Sequence, residues 1–180
     1  MSLPTTMKAL QIQSQGGLEV LEMRELPVPS DKDLGPSQIL VKVEWAGVNF
    51  IDTYLRSGLY KKDTPFVLGN EPAGTVVKVG SGVESVKVGD KVASYLAAGG
   101  GFAEYAVVEE KGTTVLKEGV DTKAGAALIL QGLTAWTLCR EAYEVKKGDW
   151  ILVHAAAGGV GLLLCQVSRA SLLGALIAWD

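Results

Sequence analysis

The sequence predicts a mixed α/β fold, in which a small β barrel or folded sheet precedes the opening of a parallel βαβ unit. Three observations predict it. Short apolar segments punctuated by glycine run from residue 7 to residue 108, and an Ala- and Leu-rich stretch follows at residues 122–143. Residues 150–169 then give an apolar strand, a loop of small residues and a helix, which is how a βαβ unit begins.

The first strands are predicted from short apolar segments and the turns between them. Residues 7–13 and 18–26 have the composition of two strands around the glycine pair at 16–17. Residues 38–45 alternate with a period of two, which is typical of a strand with one apolar face. The apolar residues of one face of this strand are Ile39, Val41 and Val43.

One short helix is predicted inside this β-rich region, at residues 49–57. Its apolar side chains recur at helical spacing, Asn49 is a suitable N-cap, and Gly58 is suited to end the helix. Strands are predicted at residues 75–79 and 102–108, and residues 88–92 are predicted to form a turn and then lead into another strand.

The second half of the chain has the pattern of helix, strand and helix. Residues 122–143 lack proline and are rich in Ala and Leu, which predicts a helix, and Gly132 predicts a break in it. An apolar strand is predicted at 150–154 and a helix at 160–169, with the small residues 155–161 between them.

The bulk properties of the chain disfavour several classes of function. A net charge of −3 without any run of like charges disfavours nucleic-acid binding. Cys139 and Cys165 have neither CxxC nor disulfide-framework spacing, which is typical of a reducing compartment. The sequence shows no signal-peptide pattern and no apolar stretch of about 18 residues, so we expect a cytoplasmic protein without a membrane segment.

The strongest local signal is the run of small residues after the predicted strand at 150–154. Ala156-x-Gly158-x-x-Gly161 is the dinucleotide-binding fingerprint with alanine in the first glycine position. Small residues let a diphosphate approach the main chain, and the N-terminus of the following helix attracts its negative charge. A plain strand-to-helix turn has a similar composition, so the assignment depends on the strand before the run and the helix after it.

Five segments occur in an order that resembles one enzyme family. They are GVNFIDTYLRSG at 47–58, LGNEPAG at 68–74, VGDKV at 88–92, QGLTA at 131–135 and AAAGGVG at 155–161. Together they resemble the zinc-free NADPH:quinone oxidoreductases of the zeta-crystallin type, within the medium-chain dehydrogenase/reductase superfamily. The resemblance implies a GroES-like β-barrel domain at residues 1–123 and the start of a Rossmann domain at 124–180, truncated at its C-terminus.

The same resemblance implies an activity and the residues that carry it. The activity is NADPH-dependent reduction of a small-molecule quinone or enone by hydride transfer without a metal. The implied catalytic residues are Asn49, Tyr54 and Tyr60. The implied cofactor-binding residues are Asn49, Tyr54, Thr134, Ala156, Gly158, Gly159, Val160 and Gly161. Full-length members of the family are implied to be homodimers.

The resemblance also distinguishes the zinc-free branch from the zinc alcohol dehydrogenases of the superfamily. Zinc enzymes have a Cys at the position of Asn49 and a His at the position of Asn70. A carboxamide is a poor zinc ligand, and the chain contains a single His. The sequence therefore predicts no zinc site.

Simpler roles remain open for several of these residues. Asn49 is also explained as a helix cap alone, and Tyr54 as a core residue with its hydroxyl at the surface. Asp52 and Glu71 are also explained as groups paired with the main chain rather than acid–base groups. His154 stands at a strand end, where a structural role is the simpler interpretation.

Family members are roughly twice as long as this chain, so we expect little or no reductase activity from the 180 residues alone. Two alternatives to catalysis are an inactive form that acts only by associating with other protein chains, and an RNA-binding role like that of some zeta-crystallin relatives. The acidic balance of the chain disfavours RNA binding.

Overall fold

A computed structural model of the chain describes residues 3–96, 99–170 and 175–179. The chain divides into two compact units, Met1–Ala127 and Leu128–Asp180. In the described ranges, no helix has both the length and the apolar character needed to cross a lipid bilayer.

Two antiparallel sheets form the first unit. In chain order its strands are β1 (Thr6–Ile12), β2 (Glu22–Pro27), β3 (Gln38–Gly47), β4 (Phe66–Val67), β5 (Glu71–Val79), β6 (Lys91–Ser94), β7 (Tyr105–Glu109) and β8 (Thr113–Val115). One sheet has the order β2-β1-β4 and the other β7-β3-β5-β6-β8. An isolated bridge pairs Ala9 of β1 with Ala103, two residues before β7 begins, which agrees with the folded sheet predicted from the sequence.

The second strand begins later than its sequence pattern predicts. Leu18–Val20 forms a 3-10 turn and β2 starts at Glu22, so the strand predicted over 18–26 is wrong in its first residues. The reason is local, since the backbone N–H of Gly17 donates a hydrogen bond to the Glu19 carboxylate (2.7 Å) and favours the turn.

Strand β3 is central to the larger sheet, because it pairs with β5 along one edge and with β7 along the other. Its predicted alternation is confirmed: Ile39 and Val41 pack into one core cluster and Leu40 packs into another. The buried members of the first cluster are Ile39, Val41, Val76, Val86, Val92, Leu96, Ala106 and Val108. Both faces of this strand are therefore covered at its start.

Strands β3 and β5 approach each other closely where a glycine stands. Gly74 of β5 pairs with Val43, and a Cβ at Gly74 would collide with the carbonyl of Lys42. A register shift follows immediately, between Val43 and Trp45. The irregularity positions the end of β3 at Gly47.

Helix α1 (Phe50–Ser57) begins and ends as the sequence predicts. Asn49 is its N-cap and forms a capping box with Asp52, and Gly58 ends it with φ +82°. On its inner face Leu55 is buried in an apolar cluster with Ile12, Phe66 and Leu68. This cluster holds the helix against the smaller sheet.

Helix α2 (Thr122–Thr137) runs through Gly132 without interruption, so the predicted break near this residue is wrong. A Cβ at Gly132 would meet nothing within 4 Å. Glycine on an open helix surface lowers stability by only about 1 kcal/mol relative to alanine, which the helix tolerates. The geometry changes later, in the π-helical segment Leu138–Ala142.

The second unit contains the predicted βαβ arrangement. Strand β9 (Trp150–His154), helix α3 (Gly159–Ala170) and strand β10 (Ala175–Trp179) follow one another, and the two strands are parallel. Parallel neighbours require a crossover connection, which α3 provides. The predicted domain boundary between residues 123 and 124 stays a prediction.

Candidate functional site

The larger sheet and helix α1 bring polar side chains together in the first unit. Strand β3 ends at Gly47, which pairs with Glu71 at the start of β5. The chain then turns directly into α1, whose N-cap is Asn49. Asn49 and Glu71 therefore meet, although they lie 22 residues apart in the sequence.

A short hydrogen bond joins these two side chains. Nδ2 of Asn49 donates to Oε2 of Glu71 at 2.7 Å. Glu71 is completely buried, and a Cβ at Gly47 would collide with its carboxylate. Asn49 therefore caps α1 and also binds Glu71 through its side chain. Glu71 pairs with β3 through its main chain and accepts this hydrogen bond through its carboxylate.

Asp52 is buried in the first turn of α1 and bonds to the main chain. Its carboxylate accepts hydrogen bonds from the backbone N–H groups of Asn49 (2.8 Å) and Gly69, and Nδ2 of Asn70 lies 3.4 Å from its other oxygen. Burial raises the pKa of Asp52, and the two backbone hydrogen bonds only partly offset this rise. The sequence left open whether Asp52 pairs with the main chain, and the structure shows that it does.

Asn70 is almost completely buried beside Asp52. Its Oδ1 accepts no hydrogen bond from the part of the chain that the structure describes. Buried polar atoms usually have a partner, so this carbonyl oxygen is an unusual feature of the site.

Three aromatic rings from α1 and the residues after it follow one another, beginning at Phe50, the residue after Asn49. The rings of Phe50 and Tyr54 are stacked with centroids 6.4 Å apart, and the rings of Tyr54 and Tyr60 are tilted with centroids 5.4 Å apart. Phe50 is 79% exposed and Tyr60 is 51% exposed, while Tyr54 is half-buried. Exposed aromatic side chains next to a fixed polar group are typical of a ligand-binding surface.

The loop at residues 155–161 turns the chain from β9 into α3 in the second unit. Ala155 has φ +50°, and the backbone N–H of Gly158 donates to the Ala155 carbonyl (2.9 Å). Gly161 is buried, and a Cβ there would collide with that same carbonyl. Glycine at 161 therefore lets the helix pack closely against the loop.

The small residues of this loop divide into two groups. Ala156 and Gly161 are buried and serve packing, whereas Gly158 and Gly159 are exposed and Val160 is half-buried. The first N–H groups of a helix have no partner within the helix, and its N-terminus carries a partial positive charge. The open main chain at the start of α3 is therefore suited to an anionic diphosphate.

Helix α2 reaches this loop through Gln131. A Cβ at Gly159 would collide with the Gln131 amide, so the side chain lies directly against the loop. Thr134 follows on the same helix and is exposed, and its Oγ1 donates to the Leu130 carbonyl (2.8 Å). The predicted cofactor residue Thr134 is thus on the helix that contacts the loop.

Two partners in these sites were not predicted from the sequence: Glu71 for Asn49, and Gln131 for Gly159. A partial signal existed, because Gly47 and Glu71 both fall in the segments that resemble the family. The β3–β5 register that pairs them is not encoded in either segment alone.

The two positions where zinc enzymes have metal ligands carry carboxamides bonded to carboxylates. Asn49 donates to Glu71, and Asn70 donates to Asp52. Among the residues that the structure describes, no three His, Cys, Asp or Glu side chains come together in a group that could hold a metal ion.

Comparison with known proteins gives the class to which this fold belongs. Residues 35–118 match the alcohol dehydrogenase GroES-like domain, a stretch that contains β3 to β8. The βαβ arrangement that follows is the start of a Rossmann-type domain, and it superimposes on solved oxidoreductases together with the rest of the chain. The predicted fold class is confirmed.

Relatives that match nearly the whole of this chain indicate a more specific class of oxidoreductase. The probable quinone oxidoreductase of Schizosaccharomyces pombe is 46% identical over 164 residues, which cover 89% of this chain and 48% of that protein. A crystal structure of Pseudomonas syringae pv. Tomato DC3000 quinone oxidoreductase superimposes with a TM-score of 0.89 at 43% identity, covering 96% of this chain and 52% of that one. Escherichia coli quinone oxidoreductase complexed with NADPH gives a TM-score of 0.83 at 38% identity, with the same coverage.

Nearly the whole chain is similar to quinone oxidoreductases, and the resemblance drawn from its five sequence segments is confirmed. The chain spans about half the length of the curated relatives it matches.

Proposed function

We propose that this chain carries the phosphate-binding loop and part of the catalytic site of an NADPH-dependent quinone or enone reductase. The observation that carries the proposal is the exposed main chain of Gly158 and Gly159 at the start of α3, in a chain 38–46% identical to quinone oxidoreductases. The proposed reaction is hydride transfer to a small-molecule acceptor.

The loop at residues 155–161 fits the diphosphate of a dinucleotide. Gly158 and Gly159 leave the main chain open, while Ala156 and Gly161 let the helix N-terminus pack close behind it. Thr134 on α2 and Val160 in the first turn of α3 complete the proposed cofactor contacts. The choice of NADPH over NADH is supported by the NADPH complex of the Escherichia coli relative.

Asn49, Tyr54 and Tyr60 are the proposed catalytic residues. Bound NADPH supplies the hydride, and the task of the protein is to orient the acceptor and stabilise charge on its oxygen. The exposed phenol of Tyr60 is suited to donate a hydrogen bond to a quinone oxygen. Asn49, which precedes Phe50 at the start of α1, offers a carboxamide held by Glu71.

We propose that this reaction proceeds without zinc. The support lies in the donor set, because Asn49 and Asn70 present carboxamides that already bond to carboxylates. Hydrogen bonding and positioning then take the place of a metal in polarising the acceptor carbonyl.

Fluorescence titration with NADPH and NADH tests the loop. Gly158→Val adds an exposed side chain that blocks the diphosphate, and its Cβ, 3.2 Å from the Ala155 carbonyl, requires the loop to shift by a few tenths of an ångström. We expect NADPH affinity to fall by at least about tenfold, which corresponds to about 1.4 kcal/mol. The matched control is Gly132→Ala on the open surface of α2, which should bind NADPH as the native chain does. Equal affinity of Gly158→Val and the native chain would refute the loop assignment.

Turnover is measured in the same samples as NADPH oxidation with 1,2-naphthoquinone. The sequence predicts little or no turnover by the 180-residue chain alone. A rate equal to that of a full-length relative would contradict this expectation and leave the loop assignment intact, because binding and catalysis are scored separately.

A further inference from the structure

We propose that Glu71 is a positioning residue, whose buried carboxylate holds the Asn49 carboxamide in one orientation for its catalytic contact. This inference rests on the proposed function of Asn49 and extends it to a second residue. Glu71 itself is completely buried, so it acts through Asn49 and does not touch the acceptor.

The chemistry of the bond fixes the orientation of the carboxamide. A carboxylate oxygen accepts hydrogen bonds and does not donate them, so only the NH2 side of Asn49 can face Glu71. The distance of 2.7 Å from Nδ2 to Oε2 is that of a charge-assisted hydrogen bond. The carbonyl side of the carboxamide is thereby directed away from Glu71.

Helix capping does not account for this contact. An N-cap side chain acts through its oxygen, which accepts from the backbone of the first turn, whereas Glu71 binds the nitrogen. The main chain of Asn49 is held separately, by the Asp52 carboxylate at 2.8 Å. Asn49 is therefore fixed at its backbone by one carboxylate and at its side chain by another.

Glu71 is in turn held by the sheet. It pairs with Gly47 across the β3–β5 register, and a methyl group at Gly47 would occupy the space of the carboxylate. Glycine at 47 and glutamate at 71 form a matched pair, in which the missing side chain of one makes room for the buried charge of the other. Replacing Gly47 by alanine should displace the Glu71 carboxylate, although the added methyl group would also press against the Ala126 carbonyl.

A purely structural role makes a different prediction from a positioning role. Glu71→Leu takes away the acceptor of the Asn49 NH2, and losing one partner of a buried hydrogen bond is destabilising, so we expect this variant to be less stable but still folded. Loss of orientation at Asn49 should nevertheless weaken every function that depends on its carboxamide. Glu71→Gln keeps one acceptor oxygen of similar placement and should restore part of that function.

The test combines a spectroscopic and a binding readout in the 180-residue chain. The side-chain NH2 signals of Asn49 are identified in ¹⁵N–¹H spectra by their loss in Asn49→Ala. We expect these protons to exchange slowly with solvent in the native chain and rapidly in Glu71→Leu and Gly47→Ala. In Glu71→Gln we expect them to exchange at an intermediate rate. NADPH affinity is titrated for the same variants and for the Asn49→Ala/Glu71→Leu double variant.

We expect Asn49→Ala and Glu71→Leu each to weaken NADPH binding by about tenfold, with the double variant no weaker than either single variant, because both act through one carboxamide. Slow exchange retained in Glu71→Leu, or independent effects that multiply in the double variant, would overturn the inference. If Glu71→Leu does not fold, the spectrum of the native chain provides the test. Rapid exchange of the Asn49 NH2 protons in the native chain would also overturn the inference. If Asn49→Ala binds NADPH normally, the proposed role of Asn49 fails, while the exchange measurement still reports whether Glu71 orients it.

Discussion

The hydrogen bonds to Glu44 provide a prediction whose size and pH dependence both follow from the structure. Oγ1 of Thr122 donates to Oε2 of this carboxylate and Oγ1 of Thr75 donates to Oε1, each at 2.7 Å. Thr122 is 3% exposed at the start of α2, and valine has nearly the same shape. Thr122→Val therefore removes one hydrogen bond and leaves the packing nearly unchanged.

The expected loss of stability is modest because Glu44 itself is exposed. Hydrogen bonds to charged groups contribute about 1.5–3 kcal/mol, and exposure of the charged group to water lowers this contribution. We expect Thr122→Val to lower the free energy of unfolding by about 1 kcal/mol at pH 7. The control is Thr114→Val, an exposed threonine of β8, which should change it by less than about 0.5 kcal/mol.

The effect of Thr122→Val should also depend on pH in a defined direction. Hydrogen bonds from Thr122 and Thr75 hold the pKa of Glu44 below its ordinary value of 4.5. A carboxylate with a lowered pKa stabilises the folded state fully above its ordinary pKa, and this contribution is lost as the pH falls through the lowered one. The difference between the native chain and Thr122→Val should therefore be largest near pH 7 and shrink on acidification.

Urea denaturation between pH 7 and pH 3, followed by hydrogen exchange of peptides from Gln38–Gly47, measures the stability of the first unit. A difference between the native chain and Thr122→Val that is zero at pH 7 would refute the assigned energy. A difference that stays constant down to pH 3 would refute the assignment of this energy to the ionised Glu44.

Three further predictions concern the helix and the site. Burial raises the pKa of Asp52, so the native chain should lose stability relative to Asp52→Asn as the pH rises through this raised pKa. Urea midpoints of both proteins from pH 3 to pH 7 measure this loss, and a stability difference that does not change with pH would contradict it. Leu55→Ala should lower the free energy of unfolding by about 2–5 kcal/mol, because Leu55 is buried in the core. The control Val88→Ala, at an exposed position, should change it by less than about 0.5 kcal/mol, and equal effects of the two substitutions in urea titrations would contradict the core position of Leu55. Treatment with EDTA should leave NADPH affinity unchanged and elemental analysis should find no stoichiometric zinc; a chelator-sensitive affinity would contradict the zinc-free proposal.

Features that depend on neighbouring residues could be predicted from the amino-acid sequence. The alternation of β3, the N-cap and glycine stop of α1, and the strand, loop and helix around residues 155–161 all follow from local periodicity and capping chemistry. The five ordered segments were enough to indicate the family. Two local predictions were wrong, the helix break at Gly132 and the strand at residues 18–20. In the structure the helix continues through Gly132, and residues 18–20 form a 3-10 turn.

Which distant groups come into contact could be seen only in the folded chain. The Asn49–Glu71 hydrogen bond depends on the β3–β5 register and on the absent side chain of Gly47, and neither can be read from one segment. The same holds for Gln131 against Gly159, and for the separation of the small loop residues into buried and exposed ones. The physical reason is that burial and sheet register depend on the whole packed unit, whereas capping and periodicity act over a few residues along the chain.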